Sequence, residues 1–251
     1  MRRPSLFALA VAVLAAAIFS KPASCDSFTA SYLAAGVQTP SATNNVNTFG
    51  GLTYVPYLNY TTFNSTSFSG SYAGNFSLPA ADQFGGADGS GNYISTTSSY
   101  TLTINTPVNY FGLWFSALDG GNQLQFYRDS VLLYTFTPAT YQSLVGACPS
   151  SSNAFCGNPT TKFKGQDSGE QFAYLNFVDT DGMFNKITFT QTTSGGAFES
   201  DNHAVAILNN PTGNGQLGTA IVTPEPSSWI LALTGLGAIA TVMAMRRSAT
   251  V

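Results

Sequence analysis

The chain has 251 residues, nine Lys and Arg against twelve Asp and Glu, one His and three Cys. Only 8% of its residues are charged, against about 25% in ordinary soluble proteins, so its surface is built from Ser, Thr, Asn, Gln and Gly. The acidic balance repels phosphate, which argues against nucleic acid as a partner, and any Ser-His or Cys-His mechanism would have to run through the one histidine, His203.

Met1-Arg2-Arg3 is a positively charged start, and Leu6 to Phe19 is an apolar stretch too short to span a bilayer comfortably. That pattern is a secretory signal peptide. Lys21-Pro22 ends the apolar run, and Ala23-Ser24-Cys25 offers the small residues that signal peptidase requires, so residues 1–25 are expected to be removed before Asp26. Acylation of Cys25 is the alternative, but Pro22 stands where a lipoprotein would carry an aliphatic residue. Without Cys25 the chain keeps two cysteines, Cys148 and Cys156, around a loop rich in turn-forming residues. In an oxidising compartment these are expected to pair, since no further Cys or His lies nearby to complete a metal site. Residues 26–223 hold four basic and eleven acidic residues, a net charge of −7, so the exported part is acidic.

The stretch 26–208 is long enough for one large β domain. Ser27 to Leu33 reads as an opening strand. Tyr100, Leu102 and Ile104 alternate with Thr101, Thr103 and Asn105, Leu124 and Phe126 with Gln123 and Gln125, and Ile187 and Phe189 with Lys186, Thr188 and Thr190. This is half-buried strand periodicity, whereas Phe111-Gly112-Leu113-Trp114-Phe115 is apolar on both faces, as in a central strand. Asp119-Gly120-Gly121-Asn122 and Asp179-Thr180-Asp181-Gly182 carry turn chemistry. They predict a three-strand meander over 108–137 and a hairpin joining 171–178 to 183–192. Pro138 to Val145 predicts one short helix with Thr137 as N-cap and Pro138 at N1. Ala204 to Leu208 reads as the last strand, and residues 209–222 as a flexible linker. The expected fold is an antiparallel β-sandwich, jelly-roll-like.

From Ser227 to Met245 the chain is free of charge and is closed by Arg246-Arg247. A transmembrane helix over 227–245 satisfies its backbone internally, with Trp229 at one interface and the arginines on the cytoplasmic side. Just upstream stands Pro224-Glu225-Pro226. This motif, a short spacer, an apolar helix with small residues and a terminal arginine cluster resemble the PEP-CTERM sorting signal, here over 223–251. The resemblance implies an exported bacterial protein recognised at Pro224, Glu225 and Pro226 by an exosortase. It would be held in the inner membrane before processing and delivered to the cell surface or its exopolysaccharide. The tail after the arginines, Ser248 to Val251, departs from the usual pattern.

Within the domain, Glu199-Ser200-Asp201-Asn202-His203-Ala204-Val205 resembles the Asp-Asn entry to the last strand of exported jelly-roll domains. With Tyr110 to Phe115 before Asp119-Gly120, it makes the domain similar to other exosortase-dependent surface proteins. That resemblance implies an acidic residue able to hold a structural Ca²⁺ or to fix the closing strand. Calcium takes oxygen ligands, and Asp119, Glu199 and Asp201 are the expected set, with Asp179 and Asp181 read as turn residues. Tyr54, Tyr57 and Tyr60 could stack on sugars or simply pack in the core. No catalytic residue is expected, because no nucleophile elbow is present and His203 reads as a strand-entrance residue. Glu199 with Asp119 or Asp201 could act as a glycosidase carboxylate pair. The function expected is a structural or adhesive role at the cell envelope, followed by a carbohydrate-binding module and then a glycan-active hydrolase.

Overall fold

The computed structural model describes residues 27–40, 42–52, 58–209 and 219–221. The signal peptide 1–25, the sorting motif and the helix 227–245 lie outside the described residues, as does most of the linker. Among the described residues no helix is long and apolar enough to cross a membrane.

The domain is all-β, built from two antiparallel sheets that pack face to face. In chain order the strands are β1 (Phe28–Tyr32), β2 (Val46–Asn47), β3 (Leu58–Asn64), β4 (Ser69–Phe76), β5 (Ile94–Thr96), β6 (Ser99–Val108), β7 (Tyr110–Leu118), β8 (Asn122–Arg128) and β9 (Val131–Phe136). After the helix α1 (Pro138–Val145) come β10 (Gln171–Asp179), β11 (Phe184–Gln191), β12 (Phe198–Ala206) and β13 (Thr219–Ile221). The first sheet runs β13-β1-β10-β7-β12, with β2 and β5 both pairing with β12. The second runs β3-β4-β6-β11-β8-β9.

The periodicity read from the sequence sorts the strands correctly. In the second sheet, Tyr100, Leu102, Ile104, Leu124, Phe126, Ile187 and Phe189 point inward and are buried, while the intervening Thr and Gln residues reach water. They meet Phe111, Leu113 and Phe115 of β7, Leu175 and Phe177 of β10, and Phe198 and Val205 of β12 in one core. Each such side chain contributes roughly 1.5–3 kcal/mol on burial. In the first sheet, β7, β10 and β12 are buried at every residue, which the two-sided apolar character of 111–115 predicted for β7 alone. Their outer face carries Trp114, Ala117, Phe172 and Tyr174, which pack with Leu33 and Ala87 from the covering loops. Gly112 leaves room there. A Cβ on it would stand 2.7 Å from the Tyr174 hydroxyl and against that of Tyr110.

The pairing differs from the predicted meander. The turn at Asp119 forms, with Asn122 N–H donating to Asp119 C=O at 3.1 Å. It does not fold β8 back onto β7. Instead it carries the chain from the first sheet to the second, where β8 pairs with β11 in the register Gln191↔Asn122. Gly121 makes this possible, because its C=O accepts from both the N–H and the hydroxyl of Thr192 at 2.8 Å, and a side chain there would run into Gln191 and Thr193. Only β8 and β9 form a hairpin in that stretch. The residues Asp179 to Gly182 likewise pass from β10 in the first sheet to β11 in the second, so no hairpin forms there either. Thr180 N–H and hydroxyl both donate to Ser27 C=O, and Ser27 N–H donates to Asp181 Oδ1 at 2.8 Å, which ties this crossing to the start of β1.

The helix stands where predicted, with Thr137 extended at the N-cap and Pro138 in the first turn, although the Thr137 side chain makes no capping bond. Beyond it, Cys148 and Cys156 are joined by a disulfide, with Cα atoms 5.6 Å apart. Residues 219–221, inside the stretch read as linker, add β13 to the edge of β1 in the register Ala30↔Ile221.

Candidate functional site

β12 starts six residues earlier than its apolar end suggested, because its first half is polar yet buried. Along Phe198, Glu199, Ser200 and Asp201 the side chains alternate inward and outward. The pairing with β7 then shifts between Asp201 and Ala204, at Asn202 with φ of 50°. This bulge resets the alternation, so that His203 points into the core between the sheets and Ala204 points out. The Asn202 side chain donates to Gln38 C=O at 2.7 Å, and its own C=O accepts from the Tyr174 hydroxyl at 3.1 Å.

His203 is fully buried. Its ring stacks on Phe189 at 5.2 Å and meets Phe49 and Phe111 edge-on. Nδ1 lies 2.9 Å from the Tyr72 hydroxyl and Nε2 2.9 Å from Ser200 Oγ, which in turn lies 3.3 Å from the Tyr100 hydroxyl. Asn47 Nδ2 donates to the Tyr72 oxygen at 3.4 Å, leaving the Tyr72 proton for Nδ1. The imidazole is then neutral with its proton on Nε2 toward Ser200. Burial pushes its pKa down to about 3. A histidine held this way is a core residue, deeper in the fold than the strand entrance expected of it.

The three carboxylates expected to hold calcium separate into two places. Asp201 is 2% exposed and is spent on the backbone: Ala87 N–H donates to it at 2.8 Å and Asn202 N–H at 2.7 Å. Burial raises its pKa to about 7 against the lowering effect of those two donors. It pins the covering turn Ala87–Gly89 onto the sheet. Asp119 and Glu199, in contrast, share a cleft of about 470 Å³ at one end of the sandwich, lined also by Phe84, Thr97, Ala117, Glu170 and residues 195–197. Asp119 Oδ2 is held by Ala197 N–H at 3.1 Å and by Gln191 Nε2 at 3.2 Å. Gly196 is required beside it, since a Cβ there would occupy the place of that carboxylate oxygen.

Glu170, which nothing in the sequence singled out, is the third acid of the cleft. It stands in a loop of polar residues just before β10, and only the strand pairing brings it to Asp119. Burial, then the neighbouring Asp167 and Asp119, raise its pKa to about 8. Its carboxyl is placed to hydrogen-bond with both, which two carboxyl groups can do only if one keeps a proton. Glu199 is 8% exposed, and among the described residues its carboxyl has no hydrogen-bond partner. Burial first, and then the field of Asp119, Glu170, Asp82 and Asp167, push its pKa to about 9. Phe84 stands at the rim, 40% exposed, and was also missed, because a lone Phe in a Gly- and Asp-rich loop carries no periodic signal.

Comparison with family models, with curated proteins and with solved structures returned no match.

Among the described residues no group of three or more His, Cys, Asp or Glu side chains is placed to hold a metal ion. Asp179 is engaged elsewhere, in an ion pair with Arg128 at 3.6 Å. Of the tyrosines read as sugar platforms, Tyr54 and Tyr57 lie outside the described residues, and only the backbone position of Tyr60, in β3 opposite Ala73, is described. The motif Pro224, Glu225, Pro226 lies outside them as well.

Proposed function

We propose that this chain is an exported protein of the cell surface or exopolysaccharide matrix. In this reading an exosortase acts on it at Pro224-Glu225-Pro226, and its β domain has a structural or adhesive role without catalysis. The observation that carries the reading is the Cys148–Cys156 disulfide closing a surface loop of the domain, which suits an oxidising compartment, together with the two flanking segments read from the sequence as targeting signals. The passage of successive strands between facing sheets, as in β6-β7-β8 and β10-β11-β12, supports a jelly-roll-like architecture. The test is the intact mass of the protein isolated from its native cells. Loss of residues 1–25, loss of the segment after the Pro-Glu-Pro motif and a mass two hydrogens short for the disulfide are expected. An unprocessed, reduced chain would overturn the proposal.

A carbohydrate-binding role is the second reading, favoured by the exposed ring of Phe84 at the rim of a cleft whose carboxylates can accept from sugar hydroxyls. It predicts retention of the protein on a polysaccharide of the producing cell and loss of that retention in Phe84→Ala. Equal retention of both proteins would remove Phe84 and its cleft from the reading.

A further inference from the structure

Resting on the carbohydrate-binding reading and narrowing it, we infer that the cleft at the end of the sandwich selects an uncharged sugar unit, one that offers hydroxyls and carries no uronate, sulfate or phosphate. Glu199 sets the requirement. It is 8% exposed and lines the cleft, and its carboxyl has no hydrogen-bond partner among the described residues. A buried polar group left in that state is costly and is ordinarily satisfied. Asp201, two residues along the same strand, has two backbone donors. For Glu199 the partner has to come from what enters the cleft. Asp119 and Glu170 add further carboxyls to the lining, and no lining residue is basic. The ligand that fits is rich in donors and free of negative charge.

A sugar hydroxyl both donates and accepts, so it satisfies Glu199 whether or not that carboxyl keeps a proton. Its hydroxyls are also spread around a ring and reach acceptors spaced along a wall, whereas a metal ion needs side chains that converge on one point, which the described acids do not do. Phe84, exposed at the rim, offers an aromatic face to the apolar C–H side of a pyranose. The cleft holds about 470 Å³, inside the roughly 300–1,000 Å³ of small-molecule sites. Its wall is set before any ligand arrives, because Ala197 N–H and Gln191 Nε2 fix Asp119 Oδ2 and Gly196 leaves that oxygen its place. An anionic sugar unit would bring its charge against Glu199 and into the field of Asp119, Glu170, Asp82 and Asp167, with no cation in the lining to offset it. Like-charge contact of this kind is how a site rejects a wrong partner.

The test uses polysaccharide of the producing cell, separated by anion exchange into a neutral and an acidic fraction. Each is titrated calorimetrically into the protein isolated from its native cells, in about 0.15 M salt so that the diffuse repulsion of an acidic domain is screened. The neutral fraction should bind saturably and the acidic fraction at least about tenfold more weakly. Phe84→Ala should weaken neutral binding by about two- to tenfold, the part that ring contact carries. Glu199→Gln keeps the shape and removes an acid, so it should narrow the gap between the fractions by at least about threefold. Val131→Ala, at an exposed residue of β9 outside the lining, should leave both titrations unchanged. Binding to neither fraction would remove the carbohydrate reading itself. Equal binding to both, or binding to the acidic fraction alone, would leave that reading in place and overturn the selection of an uncharged unit. Neutral binding that Phe84→Ala and Glu199→Gln both leave intact would put the sugar elsewhere on the domain and overturn the assignment to this cleft.

Discussion

His203 and Glu199 stand four residues apart on one strand and obey opposite rules. His203 has every polar atom paired and four aromatic rings around it: Phe49, Tyr72, Phe111 and Phe189. Its replacement by Ala would leave a cavity and also strip the Tyr72 and Ser200 hydroxyls of their partner. The expected cost is about 3–5 kcal/mol, the sum of a large core truncation and an orphaned buried group. Replacement by Phe restores volume but not the bonds, and should cost about 1–3 kcal/mol. Chemical denaturation of the two variants checks this, and a loss below about 1 kcal/mol in His203→Ala would contradict the packed position described here. No histidine in this setting can exchange protons with a substrate in the cleft, because Glu199 projects from the opposite face of the strand.

At the scale of elements, the sequence announced where strands are far better than which strands meet. The alternation in β6, β8 and β11 follows directly from one face being packed and the other wet, so it is written in the order of residues. Pairing is not written there. The turn at Asp119-Gly120-Gly121-Asn122 has the residues of a hairpin and forms as a tight turn, yet what decides the partner of β8 is Gly121 seating against Gln191 to Thr193, some seventy residues away. β12 was half hidden for a related reason. Glu199 to His203 reads as a polar segment, because the hydroxyls, amides and loops that satisfy it come from Tyr72, Gln38 and Ala87. The candidate site was legible in part: Asp119 and Glu199 were picked out by type and neighbourhood, Asp201 belonged to the same pattern but is engaged by backbone, and Glu170 became visible only once β10 was placed beside β7.

For the whole molecule these shifts combine into a pH dependence. Glu199, Glu170 and Asp201 have folded pKa values raised from 4.5, 4.5 and 3.8 to about 9, 8 and 7. The unfolded chain therefore ionises first, and stability declines as pH climbs from near 4.5 toward 9. His203 works the other way. Its folded value is lowered from 6.5 to about 3, so stability declines as pH falls from 6.5 toward 3. Three carboxyl groups outweigh one histidine wherever their windows overlap, so the contribution of these four groups is greatest near about pH 4 and declines above it. A Tm profile in chelator checks it, and a maximum at pH 8 or above would show that the buried carboxyl groups do not hold their protons in the fold.

The three-residue strand β13 gives the domain a mechanical character as well. Thr219–Ile221 leaves the fold at an outer edge, paired only with β1, whereas β7, β10 and β12 are enclosed on both faces. Tension applied to the chain beyond Ile221 falls first on that short ladder, which can peel away pair by pair while the core, the disulfide and the acidic cleft keep their shape. The domain is thus more easily loosened by a pull at β13 than anywhere along its enclosed strands.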